Sequence, residues 1–264
     1  MKLIAIDMDG TCLNSHSLIS EQTLTVLREA SKHGLLIVPT TGRSLSCLPH
    51  QLKKEYFYDY VISSNGGTVT DIKTGQDLYS AKINNVKAIE LLERCQNLKI
   101  GLGMHAEHEF LLQGRVLKVA GYLSYGKDAA NAQTVKSLIS YLKQTKYAVE
   151  EFQFIFEPKK LCSLKNTLNT FTGLNAAYSS NYVEIYDECC SKGNALKYLA
   201  DYLKIDYQDI VVFGDSENDL SMFKIAGTKY AMGNAIPELK NHADRVLPSN
   251  DEDGVAYGIK QLFE

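Results

Sequence analysis

Lys2-Leu3-Ile4-Ala5-Ile6-Asp7-Met8-Asp9-Gly10-Thr11 sets an apolar run directly against two carboxylates and a glycine turn. The run reads as a buried strand ending in a turn. Two carboxylates at such a position repel each other unless a cation is close, and the strand end is where open α/β sheets place their ligands. Asp7 is therefore read as a nucleophile toward phosphorus. Asp9, two residues on, projects to the same side, placed to give a proton to a leaving oxygen and later take one from water. Asp-Gly is equally a common turn pair and Asp a common helix cap, so these residues alone leave a structural role open.

Downstream, Ile19 and Leu24 bracket Ser20 as a staple around an N-cap, predicting a helix that runs to a stop at Gly34. Leu35 to Val38 is the next expected strand, ending in Pro39-Thr40-Thr41-Gly42-Arg43. A third, Tyr60 to Ile62, ends in Ser63-Ser64-Asn65-Gly66-Gly67. Strands alternating with helices, each strand closing on a polar, glycine-bearing turn, predict an α/β fold: a Rossmann-like parallel-sheet core with its site along one edge. From about Lys82 the texture changes to helical periodicity with short strand-like runs such as Phe152 to Phe156, a helix from about Lys159, and Tyr182 to Tyr186. This predicts an inserted α+β cap domain at 83–186, with 1–82 and 187–264 forming the core. The βα rhythm then resumes with a helix Lys192 to Leu203, a strand Ile210 to Phe213 and a helix Asn218 to Ala226.

Composition narrows the class. With 264 residues, 45% of them hydrophobic, the chain can bury a sizeable core. A net charge of −3 offers no basic excess for nucleic acid or anionic lipid, so the expected partner is a small anionic molecule held by local groups. Asp7 interrupts the first apolar stretch and no later run approaches bilayer length, which predicts a soluble, cytoplasmic protein with no membrane partner. Six cysteines without a C-x-x-C pair indicate neither a zinc knuckle nor a redox motif.

Gly214-Asp215-Ser216-Glu217-Asn218-Asp219 follows the apolar Ile210-Val211-Val212-Phe213 and repeats the strand-then-carboxylate arrangement. A hard cation such as Mg²⁺ prefers oxygen ligands and is completed by substrate phosphate, which an edge bearing Asp7, Asp9 and Asp215 provides. Asp219 is expected to orient metal-bound water. The acids also fit a helix start favoured by the dipole. Thr41 with the Gly42 amide suits a phosphoryl oxygen, although a capping Thr in a turn fits as well. Lys192, followed by Gly193, opens a helix, where the dipole disfavours a cation, and so suggests an anion nearby, although a solvated lysine fits as well.

Together these motifs resemble the haloacid dehalogenase-like superfamily, specifically its Cof-type sugar-phosphatase branch with a large α/β cap. Asp7-Met8-Asp9-Gly10-Thr11, Thr41-Gly42-Arg43, Ser191-Lys192-Gly193, and Gly214-Asp215 with Asn218-Asp219 and Met222 carry the likeness. The resemblance implies Asp7 as nucleophile, Asp9 as general acid/base, Thr41 and Lys192 as phosphoryl ligands, and Asn218 as a further phosphate contact. It implies Mg²⁺ on Asp7, the Asp9 carbonyl and Asp215. Cys12, where Leu is usual, and Thr40, where Ala is frequent, depart from the pattern without touching the chemistry. The expected activity is Mg²⁺-dependent hydrolysis of a small phosphomonoester, such as a sugar phosphate, through an aspartyl-phosphate. A phosphomutase and a non-catalytic phosphoacceptor or metabolite sensor use overlapping residues; the Asp7/Asp9 pair favours turnover.

Other signals are set aside. Gly101-Leu102-Gly103-Met104-His105-Ala106 fits a loose dinucleotide pattern but no helix is expected behind it. His105 and His108, with Glu107 and Glu109, lack the spacing of a helical zinc motif. Tyr122, Tyr125, Tyr178 and Tyr182 suit stacking on a sugar or ring, but tyrosine is also an ordinary half-buried strand residue, and none is assigned to substrate.

Overall fold

The computed structural model describes residues 2–114, 128 and 131–262. In chain order the strands are β1 (Leu3–Asp7), β2 (Leu36–Thr40), β3 (Tyr60–Ser63), β4 (Thr68–Asp71) and β5 (Gln76–Ser80). Then follow β6 (Gly101–Ala106), β7 (Glu109–Gln113), β8 (Gln133–Val135), β9 (Glu151–Ile155), β10 (Leu174–Tyr178) and β11 (Tyr182–Asp187), and finally β12 (Ile210–Gly214), β13 (Thr228–Ala231) and β14 (Arg245–Val246).

Two compact units emerge. The first comprises Met1–Gly42, Pro49–Ser80 and Ser191–Glu264 and is built on a sheet of order β14-β13-β12-β1-β2-β3-β4-β5. From β14 through β3 neighbouring strands run parallel. β1 and β12 lie at the centre with every residue buried, as expected of parallel strands covered on both faces. The helix Glu21–Lys32 starts at Ser20, whose side chain accepts the Thr23 N–H.

Three details depart from the sequence reading. β4 and β5 form an antiparallel edge, because the short turn between Ser63 and Thr68 cannot carry a crossover, whereas a hairpin needs none. β2 continues through Pro39 to Thr40; the missing proline N–H is tolerated beside a β3 pairing confined to Thr40↔Ile62. The expected Asn218–Ala226 helix is instead a 3₁₀ turn at Glu217–Asp219 followed by the short helix Leu220–Phe223.

The second unit comprises Arg43–Leu48 and Ala81–Cys190, so it extends slightly beyond 83–186 and takes in a segment far away in sequence. That segment is bound by a buried Arg43–Asp128 ion pair at 2.8 Å and by the Ser46 N–H donating to the His108 carbonyl. Its sheet, of order β10-β11-β9-β6-β7-β8, packs one face against the helices Asn85–Cys95, Leu138–Thr145 and Leu161–Leu168 through Leu91, Met104, Leu142, Phe152, Phe154 and Leu164. Gly101 and Gly103 lie inside β6, which turns directly into β7, so no helix opens behind the glycines. Tyr178 and Tyr182 are exposed on β10 and β11, while Tyr122 and Tyr125 lie outside the described residues. Among the described residues no helix is long and apolar enough to cross a membrane.

His105 is buried on β6 with its ring edge-on to Phe110. Burial lowers its pKa from 6.5 to about 3. Below pH 6.5 the unfolded chain takes up a proton that the folded state refuses until near pH 3. The contribution of His105 is therefore fully present above pH 6.5 and declines as pH falls, by up to about 1.4 kcal/mol per pH unit. Urea unfolding between pH 7.5 and 4.5 should show a decline that His105→Gln flattens; an unchanged slope would remove His105 as its cause.

Candidate active site

The first unit gathers its polar residues at the carboxyl ends of β1, β2 and β12. Register places Asp7 beside Thr40, while Ile6 pairs with Phe213, so that Asp7 and the Gly214-Asp215 turn emerge at one level. Asp7 is 4% exposed. Carboxylate oxygens of Asp7, Asp215 and Asp219 all lie within 4.8 Å of one another.

Lys192 enters from the start of the helix Lys192–Leu203, whose N-cap Ser191 accepts the Asn194 N–H at 3.0 Å. Its ammonium is buried between Asp7 Oδ1, at 2.5 Å, and Asp219 Oδ1, at 2.7 Å. A cation at a helix N-terminus opposes the dipole, and these two carboxylates offset that cost. Burial disfavours charge on Lys192, but Asp219 and Asp7 outweigh it and hold the ammonium above the ordinary lysine range. Gly66 makes this approach feasible. It sits at φ +96°, and a Cβ there would come within 2.2 Å of the Ser191 carbonyl oxygen.

Asp219, expected to orient metal-bound water, stands in the carboxylate cluster and also organises the protein around it. Both its oxygens are engaged within the protein: Oδ1 holds Lys192, and Oδ2 accepts the N–H groups of Asp215 (2.9 Å) and Ser216 (3.0 Å), closing the turn. Asp215 is fixed from the other side by the Thr11 hydroxyl, at 2.8 Å. Gly10, at φ +82°, lies flat against Asp215; a Cβ there would stand 2.5 Å from its Oδ2. Asp9 is exposed just beyond β1, and its carboxylate is not part of the three-carboxylate cluster.

The cluster is electrostatically incomplete. Three carboxylates face one ammonium, and burial, opposed by Lys192 and reinforced by Asp219 and Asp215, pushes the Asp7 carboxyl well above its usual range. Burial and Asp219 likewise raise Asp215. Among the described residues Asp7 Oδ2 is buried with no hydrogen-bond partner. Hard oxygen donors, an excess of negative charge and an orphaned carboxylate oxygen fit a divalent cation such as Mg²⁺.

Thr41 and Gly42 lie at the end of β2, where Thr41 is fully buried. The Thr41 N–H donates to Ile62 and its carbonyl accepts the Asn65 N–H at 3.0 Å. Asn218, on the opposite turn, donates through Nδ2 to Asn65 Oδ1 at 2.9 Å. Asn65 thus joins Thr41, Gly42 (against which its side chain packs) and Asn218, although the sequence reading assigns it no role. Its one signal is its place in the third glycine-bearing turn. There it adopts φ +56°, a left-handed conformation Asn tolerates better than most residues.

A family profile described as haloacid dehalogenase-like hydrolase matches residues 4–259. The chain is 34% identical to a 5-amino-6-(5-phospho-D-ribitylamino)uracil phosphatase of Bacillus subtilis, across 100% of this chain and 98% of that protein. It is 29% identical to a putative phosphatase of Streptococcus pyogenes, across 99% and 98% of the two chains. A solved haloacid dehalogenase-like hydrolase from B. subtilis superposes with a TM-score of 0.86 at 27% identity, covering 100% of both chains.

Proposed function

The chain belongs to the haloacid dehalogenase-like hydrolases, and on that premise we propose that it hydrolyses a small phosphomonoester, a sugar phosphate or related metabolite, through an aspartyl-phosphate on Asp7. The observation that carries this reading is the orphaned Asp7 Oδ2 beside Oδ1 pinned by Lys192. Lys192 pins the carboxylate, and an oxygen without a hydrogen-bond partner among the described residues leaves it capacity to meet both a cation and an incoming phosphorus.

Asp7, Asp215 and the Asp9 carbonyl would hold Mg²⁺, which when bound neutralises charge on the transferring phosphoryl group. Lys192 contributes fixed positive charge, and Thr41, Gly42 and Asn218 bind the phosphoryl oxygens. Asp7 attacks phosphorus as the bond to the leaving oxygen breaks, and Asp9 gives that oxygen its proton. Asp9 then takes a proton from water, which attacks phosphorus and releases Asp7 and inorganic phosphate. The ribityl phosphate named for the B. subtilis relative is one candidate substrate.

The test is phosphate release from sugar phosphates, polyol phosphates including that ribityl compound, nucleotides and an aryl phosphate, with Mg²⁺ or with EDTA. Release that EDTA abolishes and Mg²⁺ restores is expected. Unchanged turnover in EDTA would rule out the metal-dependent reading, and an isomerised sugar phosphate in place of inorganic phosphate would identify a mutase.

A further inference from the structure

One short segment ties the two acidic turns together. After β13 the chain runs Met232-Gly233-Asn234-Ala235-Ile236. The Met232 N–H donates to the Gly214 carbonyl at 3.0 Å and the Ile236 N–H to the Asp215 carbonyl at 2.9 Å, so the segment is bonded to the turn that carries Asp215. Asn234 reaches the other turn, its Nδ2 donating to the Gly10 carbonyl at 2.8 Å. Its Oδ1 accepts the Asn250 N–H at 3.0 Å, and Asn250 Nδ2 in turn donates to the Leu13 carbonyl at 2.9 Å.

Carbonyls within the Asp7–Gly10 turn are held differently. That of Asp7 accepts from Cys12 at 3.1 Å and that of Met8 from Leu13 at 2.8 Å, both bonds local to the turn. The Gly10 carbonyl is instead held from a distant part of the chain, and Gly10 is the residue lying against Asp215. Mg²⁺ demands near-ideal octahedral geometry at short oxygen distances, so the separation of the two turns governs how well it is held. Resting on the metal reading given above, we propose that Asn234 is a positioning residue that sets the spacing between the Asp7–Gly10 turn and Asp215, and with it the affinity for Mg²⁺.

Partners beyond the ligating atoms commonly change metal affinity by 10–100-fold, and Asn234 is exposed to competing water, so a weakening of about 10-fold is expected. Asn234→Ala and Asn234→Leu, the second close to isosteric, both remove the donor. Apparent Mg²⁺ affinity would be read from calorimetric titration and from the Mg²⁺-dependent rise in Tm, with wild type in parallel. Asn250→Ala serves as the comparator, since it loses the bond to Leu13 but keeps Asn234 on Gly10. The expected result is weakened Mg²⁺ binding in both Asn234 variants and wild-type affinity in Asn250→Ala, with phosphate release recovered at raised Mg²⁺. Wild-type affinity in the Asn234 variants, or equal weakening in Asn250→Ala, would overturn the proposal. Absence of any Mg²⁺ response in wild type would overturn the metal reading itself, and this inference with it.

Discussion

Asp7→Asn should abolish phosphate release, by about 10⁴-fold or more, while leaving the fold intact. The substitution is nearly isosteric and removes the anionic oxygen that attacks phosphorus. Its structural cost is small for a reason visible in the site. Burial already disfavours the Asp7 charge, and Lys192 keeps its second partner, Asp219, at 2.7 Å. Tm in EDTA should therefore change little or rise, since one of three mutually repelling carboxylates has been neutralised. Mg²⁺ should no longer protect the variant as it does wild type. The decisive measurement is steady-state phosphate release beside thermal unfolding on the same preparation. Turnover within tenfold of wild type would sink Asp7 as nucleophile, and a collapse in Tm would make the activity loss uninformative.

Lys192→Met has the opposite profile, costing stability as well as turnover. Lys192 is fully buried between two carboxylates, and removing it takes away the cation that the described residues place among Asp7, Asp215 and Asp219. Breaking a buried pair on one side typically costs about 3–5 kcal/mol, because the remaining charge stays desolvated. For a chain of this size that corresponds to a Tm lower by about 10 °C in EDTA. Mg²⁺ should restore part of the loss. Phosphate release should fall by roughly 10³-fold, the scale of losing a preorganised group that stabilises transition-state charge. Adding Asp219→Asn to Lys192→Met should recover stability without recovering activity, because it removes one uncompensated carboxylate but returns no cation. A double-mutant cycle on unfolding free energy measures this coupling. Strict additivity would mean that the short Lys192–Asp219 contact contributes nothing specific.

The strand-end carboxylates that the structure gathers are legible in the amino-acid sequence because their signal is local. A buried apolar strand that runs straight into a carboxylate and a glycine turn is a contradiction that a ligand resolves, and it occurs at Asp7 and again at Asp215. The parallel core is legible for the same reason, since continuous apolar strands such as Ile210–Phe213 have to be covered on both faces. Asn65 is not, because a single Asn in a turn has many bland explanations. Its part emerges only when Asn218, 153 residues away, is brought within 2.9 Å of it.

The order of letters alone fixes which strand ends carry carboxylates and where a lysine opens a helix against its dipole. Which group holds which is settled by the folded chain. Asp219 closes its own turn and grips Lys192, the Gly66 backbone admits Ser191, and Asn234 reaches the Gly10 carbonyl across 224 residues. Hydrophobic periodicity and turn chemistry act over a few residues and are written in neighbouring letters. Hydrogen bonds between distant turns depend on strand register and on angstrom-scale packing, quantities that exist only once the sheet has formed.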